Sequence, residues 1–151
     1  MRTSILFICH GNICRSVMAQ CVLQDMVNKA GCAGDFFIDS AAVSAEELGN
    51  PPHWGVREVL RREGIPLLPH RARRITAQDY GRFDLLIGMD RANLSGMLRV
   101  FSGDPEGKCS LLLSCAGKDA PISDPYYSGD FDGTYRDVLL GCRALLEQLR
   151  P

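Results

Sequence analysis

The stretch Ser4-Ile5-Leu6-Phe7-Ile8-Cys9-His10-Gly11-Asn12-Ile13-Cys14-Arg15-Ser16 decides the fold. Ser4 to Ile8 is a short apolar run, a glycine-bearing loop follows at once, and a helical pattern begins at Ser16. That helix runs to about Lys29, with Met18, Val22 and Met26 on one face and Gly31 as its stop. An unbroken apolar run is how a strand buried on both faces reads. Working outward, Phe36 to Ala42 predicts a second strand, and Gly49-Asn50-Pro51-Pro52 a loop opening a helix whose Val56, Val59 and Leu60 face inward before Gly64 ends it. Leu85 to Met89 predicts a third strand, Asp90 a cap for a helix reaching Arg99, and Lys108 to Leu113 a fourth strand. A polar segment with Gly117, Pro121, Pro125 and Gly129 leads to a last helix with Tyr135, Val138, Leu139, Cys142, Leu145, Leu146 and Leu149 on one stripe. Strands alternating with helices predict an α/β fold with a parallel sheet covered on both faces. Ligands of such sheets bind beyond the carboxyl ends of the strands, near a topological switch point, so chemistry belongs in the loop after the first strand.

The 151 residues fit one domain, read as 1–151, with neither repeat nor linker. Seventeen basic against 18 acidic residues give a net charge of −1, so bulk charge implies no nucleic acid partner. The run Arg71, Arg73, Arg74 reads as a solvated loop face. Ile5 to Cys9, the longest apolar stretch near the start, is too short for a signal-peptide core or a membrane span, which predicts a cytoplasmic protein with no membrane partner. Seven cysteines, an odd number without secreted-domain spacing, predict reduced thiols.

Within Cys9-His10-Gly11-Asn12-Ile13-Cys14-Arg15-Ser16, a thiol stands at one end and a guanidinium six residues on. A loop of this length can curl its backbone N–H groups around one anion, and the helix behind it adds unsatisfied N–H groups and the positive end of its dipole. Cys9 then lies beneath the phosphorus of a phosphomonoester, where positive potential favours the nucleophilic thiolate. The planar fork of Arg15 holds two equatorial oxygens. Gly11 and Asn12 tolerate the positive φ expected of a tight loop, and Ser16 is placed to donate to the Cys9 sulfur. A leaving alkoxide or phenolate needs a proton, for which Asp124, beside Pro125 in the polar segment, is the best candidate. Asp119 and Asp130 are nearby substitutes, His10 a less apt one, and Tyr126 with Tyr127 an aromatic wall for a phenyl ring.

Ile8 to Ser16 resembles the signature of the low-molecular-weight protein tyrosine phosphatases. The resemblance extends through Ser40 to Gly49, Gly64-Ile65, His70 to Arg73, Phe83-Asp84, Met89-Asp90, Asn93 and Asp124 to Tyr127. It implies a three-layer α/β/α fold, doubly wound and flavodoxin-like, around a central four-stranded parallel sheet. It also implies metal- and cofactor-free, two-step hydrolysis of phosphotyrosine in protein substrates, through a phosphocysteine. Asn12, Ser16, Ser40 and His70 would form a hydrogen-bond network holding the loop open. Asp124 would act first as acid and then as base, and the enzyme would be a monomer or at most a weak dimer.

Departures from the pattern carry their own expectations. Glu46 replaces an aromatic residue on the pocket wall, which should disfavour anionic peptides and attract basic ones. Trp54, in His53-Trp54-Gly55, is a candidate replacement for the missing ring. Val17 stands for a frequent proline and Gln20 for a glutamate, both expected to cost stability without removing chemistry. Cys14 is either a redox partner for Cys9 or a small space-filler. Two rival functions remain: an arsenate reductase using Cys109 and Cys115, and a phosphate-binding module without catalysis, which the presence of Cys9, Arg15 and Asp124 disfavours.

Overall fold

The computed structural model describes residues 2–150. At its centre is β1 (Thr3–Cys9), whose Ile5, Leu6, Phe7 and Ile8 are wholly buried. It pairs in parallel with β2 (Phe36–Ala42) on one side and β3 (Leu85–Gly88) on the other, and β4 (Cys109–Leu111) lies beyond β3. The strand order is therefore β2-β1-β3-β4, and the chain reverses direction across the sheet between β1 and β3. The helices are α1 (Arg15–Lys29), α2 (Trp54–Arg62), α3 (Asp79–Arg82), α4 (Arg91–Phe101), α5 (Pro125–Ser128) and α6 (Phe131–Leu149).

Side chains of a strand alternate between faces, and β1 divides its residues accordingly. Ile5, Phe7 and Cys9 join one core with Ile38, Ile87, Val17 and Met18 of α1, Val56 and Leu60 of α2, and Val138 and Leu145 of α6. Leu6 and Ile8 join the other with Ala41, Leu86 and Met97 and Phe101 of α4. The three-layer architecture expected from the alternating pattern is thus the observed one. The same parity sends Cys9 and Ser40 to the α1 side and Asp39 to the opposite side, which fixes what each can touch.

The predicted fourth strand is too long: pairing ends at Leu111, and Leu112–Ala116 turns as a 3-10 helix. Leu112 and Leu113 are buried with Val138, Cys142 and Leu145, so their apolarity serves a helix packed across them rather than a strand. The short α3 and α5 were not expected from the pattern. Val17 lies in the first turn of α1, wholly buried.

Close approach of backbone to ring governs the junction of α2 and α6. A Cβ on Gly55 would stand 2.6 Å from Phe131 Cε2 and Cζ. That ring is stacked on His53 at 4.9 Å, so making room would disturb this pair. Gly55→Ala is therefore expected to cost about 1–3 kcal/mol by overpacking. Calorimetry should read this as a melting temperature lower by roughly 2–10 °C; an unchanged melting point would contradict the packing described.

Candidate active site

The loop between β1 and α1 lies at the carboxyl edge where the chain reverses. Asn12 adopts the left-handed conformation at φ 59°, whereas Gly11 is not among the positive-φ residues. The place of Gly11 is tight instead, since a Cβ there would meet Glu47 Cγ at 3.2 Å. Three backbone bonds hold the loop from outside: Val43 N–H donates to Cys9 O (2.9 Å), Ser44 N–H to His10 O (3.0 Å) and His53 N–H to Ile13 O (2.9 Å). The first N–H groups of α1 have no intrahelical acceptor. Its N-cap, Cys14, supplies no side-chain bond, and no acidic residue occupies the first turn. This helix start therefore leaves N–H groups and the positive end of its dipole uncompensated by the chain's own side chains.

Two backbone groups fix the polarity of the network beneath. Arg73 N–H can only donate and reaches Asn12 Oδ1 (3.2 Å), so Asn12 Nδ2 faces Ser16 Oγ (2.8 Å) and Ser40 Oγ (3.0 Å). Ile38 O can only accept and lies 3.5 Å from Gln20 Nε2, so Gln20 Oε1 faces Ser40 and receives its proton (2.5 Å). Ser16, accepting from Asn12, has its own proton free for Cys9 Sγ (3.0 Å), which also receives Asn12 N–H (3.3 Å). His70 Nε2 donates to Asn12 O (2.7 Å). The structure brings Asn12, Ser16, Ser40 and His70 together and adds Gln20. Gln20 is a buried member of this network, not the helix-dipole position expected from its place near the start of α1.

Burial lowers the pKa of His70 below its ordinary 6.5, against the opposing bond to Asn12 and the charge of Asp39. Between that lowered value and 6.5 the unfolded chain holds a proton that the folded chain does not, so stability rises with pH across this window. The contribution is complete above 6.5 and is lost as pH falls through the folded value. Melting curves at pH 7.5 and 5 should show wild type losing more stability on acidification than His70→Gln; equal losses would contradict the burial argument.

Arg15 is 2 % exposed, and its NH1 donates to Asp90 Oδ2 (2.7 Å) and Ile122 O (2.8 Å), while NH2 lies 3.5 Å from Asp124 Oδ2. Burial works against its charge, but Cys9, Asp90 and Asp124 outweigh this and raise its pKa above the ordinary value. Asp90 serves two elements at once, its Oδ1 capping α4 through Asn93 N–H (2.8 Å). Asp124 is held by Tyr126 N–H (3.1 Å) at the start of α5, with Pro125 following. Arg15 Nε is the one buried side-chain nitrogen or oxygen without a partner among the described residues. It belongs to a pocket of about 140 Å³ lined by Cys9, His10, Gly11, Ile13, Cys14, Arg15, Glu46, Glu47, Asp124, Tyr126 and Tyr127.

The remaining sequence candidates separate cleanly. Asp119 pairs with Arg91 on the surface and Asp130 caps α6 through Gly133 N–H, so neither lines the pocket. His10 turns outward to Glu46 (2.9 Å). Trp54 is exposed beside His53 and does not line the pocket. Burial, then the neighbouring Cys9 and Asp124, push the Cys14 thiol up to about 12. Cys109 and Cys115 pack against opposite faces of the sheet, which removes them as a relay pair. Of the basic run, Arg71 and Arg74 are exposed, as a solvated face requires, and donate to Gly49 O and Val43 O, whereas Arg73 turns inward to bond Asp39 and the fully buried Asp79.

Residues 4–151 match the family model of low molecular weight phosphotyrosine protein phosphatase. The chain belongs to that family. It is 39 % identical over 150 residues to the low molecular weight protein-tyrosine-phosphatase YfkJ of Bacillus subtilis, covering 97 % of this chain and 96 % of that one. The crystal structure of YfkJ superposes with a TM-score of 0.95 over 99 % of this chain and 96 % of that one. The human low molecular weight phosphotyrosine protein phosphatase is 37 % identical over 152 residues, covering 96 % and 94 % of the two chains. A Drosophila arginine phosphatase, 31 % identical, superposes at 0.87 over 100 % of this chain and 99 % of that one.

Three contributions to this phosphatase site escaped the sequence reading. Asp90 showed itself only as a cap, because the second oxygen finds Arg15 through the adjacency of β3 and β1. Gln20 lies four residues after Ser16, on the same helix face, and that spacing was the available signal. Arg73 and Asp79 hold the segment carrying His70 against Asn12, a role with no local sequence mark.

Proposed function

We propose that this protein is a phosphotyrosine phosphatase that works through a phosphocysteine on Cys9. The observation carrying this reading is the unpartnered Arg15 Nε–H, buried in a pocket shared with Cys9 and Asp124. A donor left unbonded in the interior is costly unless a ligand satisfies it, and a phosphoryl oxygen does so. The first N–H groups of α1 would bind the same dianion.

In the first step the Cys9 sulfur attacks phosphorus, the bond from phosphorus to the ester oxygen breaks, and Asp124 transfers its proton to that oxygen. In the second, Asp124 takes a proton from water, the water oxygen bonds to phosphorus, and the phosphorus–sulfur bond breaks. Ser16 O–H and Asn12 N–H receive the returning thiolate, which lowers its basicity as a leaving group. Cys14 stays protonated at neutral pH and is not the nucleophile; its place in the same pocket supports a protective disulfide with Cys9 on oxidation.

Cys9 is only 3 % exposed, and Tyr126 and Tyr127 stand at the mouth above it. A phenyl ring reaches that depth alongside the Tyr126 and Tyr127 rings, and a serine ester is too short to do so. All these groups come from one chain, so the proposed chemistry needs no residue from a second copy. Seven free thiols support a reducing, cytoplasmic setting, and no described helix is long and apolar enough to cross a membrane. The test is a set of peptides of one sequence bearing phosphotyrosine, phosphoserine or phosphoarginine. Preferential turnover of the phosphotyrosine peptide is expected; faster release from either of the others would overturn the substrate assignment.

A further inference from the structure

The pocket has opposite polarity at its two ends. Its floor holds the buried guanidinium of Arg15 with an unused donor, a feature that calls for an anion. Its rim carries Glu46 and Glu47 on one side and the exposed rings of Tyr126 and Tyr127 among its other lining residues. Glu46 is 68 % exposed and gives one oxygen to His10, leaving the other free. Glu47 is met by the neutral amide of Asn50 (2.6 Å), which leaves its charge uncompensated.

This rim is held in place. Ser44 N–H and Oγ–H both donate to His10 O, Arg71 donates to Gly49 O, and Ala72 N–H donates to Asn50 O (2.9 Å). The backbone that carries the two carboxylates is therefore tied to the loop rather than lying on a wandering segment. A ligand that satisfies both ends carries a phosphoryl dianion and, on the part that meets the rim, a cation. The ring faces of Tyr126 and Tyr127 add a further attraction for such a cation.

We infer that the preferred substrate is a phosphotyrosine immediately flanked by lysine or arginine, read by Glu46 and Glu47. The inference rests on the phosphatase reading above and narrows it to a substrate class. Glu46 and Glu47 act by charge on the flanking residue and take no part in bond breaking.

Three phosphotyrosine peptides differing only in flanking residues, lysine, alanine or glutamate, separate the cases. Wild-type kcat/KM should fall in that order, by about fivefold at each step at low ionic strength, and the spread should shrink with added salt. In Glu46→Gln and Glu47→Gln the lysine-to-glutamate ratio should contract, and in the double variant approach unity. Because each ratio is taken within one preparation, partial misfolding of a variant does not disturb it. Equal turnover of the lysine and glutamate peptides by wild type would overturn the inference, as would a ratio that survives in the double variant. Hydrolysis of p-nitrophenyl phosphate with refusal of all three peptides would also overturn it. Failure to hydrolyse p-nitrophenyl phosphate would instead remove the phosphatase reading beneath it.

Discussion

Cys9→Ser is expected to lower turnover of p-nitrophenyl phosphate by on the order of 10⁴-fold or more, since loss of a nucleophile removes the covalent path entirely. The hydroxyl is far less acidic than a thiol, and the two donors that meet the sulfur, Ser16 Oγ–H and Asn12 N–H, do not make it a comparable nucleophile. Phosphate affinity should survive, because Arg15 and the loop amides remain. Competition with inorganic phosphate in wild type, and direct binding of phosphate to the variant by calorimetry, measure that second part. Retained turnover would place the nucleophile elsewhere. Lost turnover together with lost phosphate binding would show that the substitution had collapsed the loop.

Asp124→Ala should lower kcat by about 10²–10⁴-fold, the range of a positioned general acid. The size of the effect should depend on the leaving group. Phenolates that depart poorly need the proton most, so phenyl phosphate should suffer more than p-nitrophenyl phosphate. Arg15 NH2 also loses its nearest contact to that carboxylate, but Asp90 and Ile122 O keep the guanidinium in place. A uniform loss across leaving groups would mean that Asp124 only positions Arg15. In that event the proton must come from another group.

The strand, loop and helix from Thr3 to Lys29 were legible because each signal is local: a buried run, a tight loop and a periodic face. Cys9, Arg15 and Asp124, which share one pocket, could be picked out because the proposed chemistry demands their residue types. What escaped was the support that tertiary adjacency creates. Asp90 and Ile122 meet the guanidinium only because β3 lies beside β1 and the segment before α5 crosses their ends. Arg73 looked like one of three surface cations, yet its main chain orients Asn12 and its side chain neutralises a buried Asp79. At Leu112 and Leu113 an apolar run read as strand proved to be a turn under α6, a distinction that periodicity cannot make over so few residues. Glu46 was legible as a departure in charge, whereas its pairing with His10 depended on the fold of the segment after β2.

The central claim is that the β1–α1 loop holds a phosphoryl group directly over the Cys9 sulfur. Rapid acid quenching of wild-type enzyme during turnover, followed by peptide mapping with mass spectrometry, tests it most directly. The account predicts one phosphoryl group on the peptide containing Cys9, attached through sulfur and absent from Cys9→Ser. A phosphoryl group on any other residue would contradict it, as would steady turnover with no labelled cysteine at any quench time.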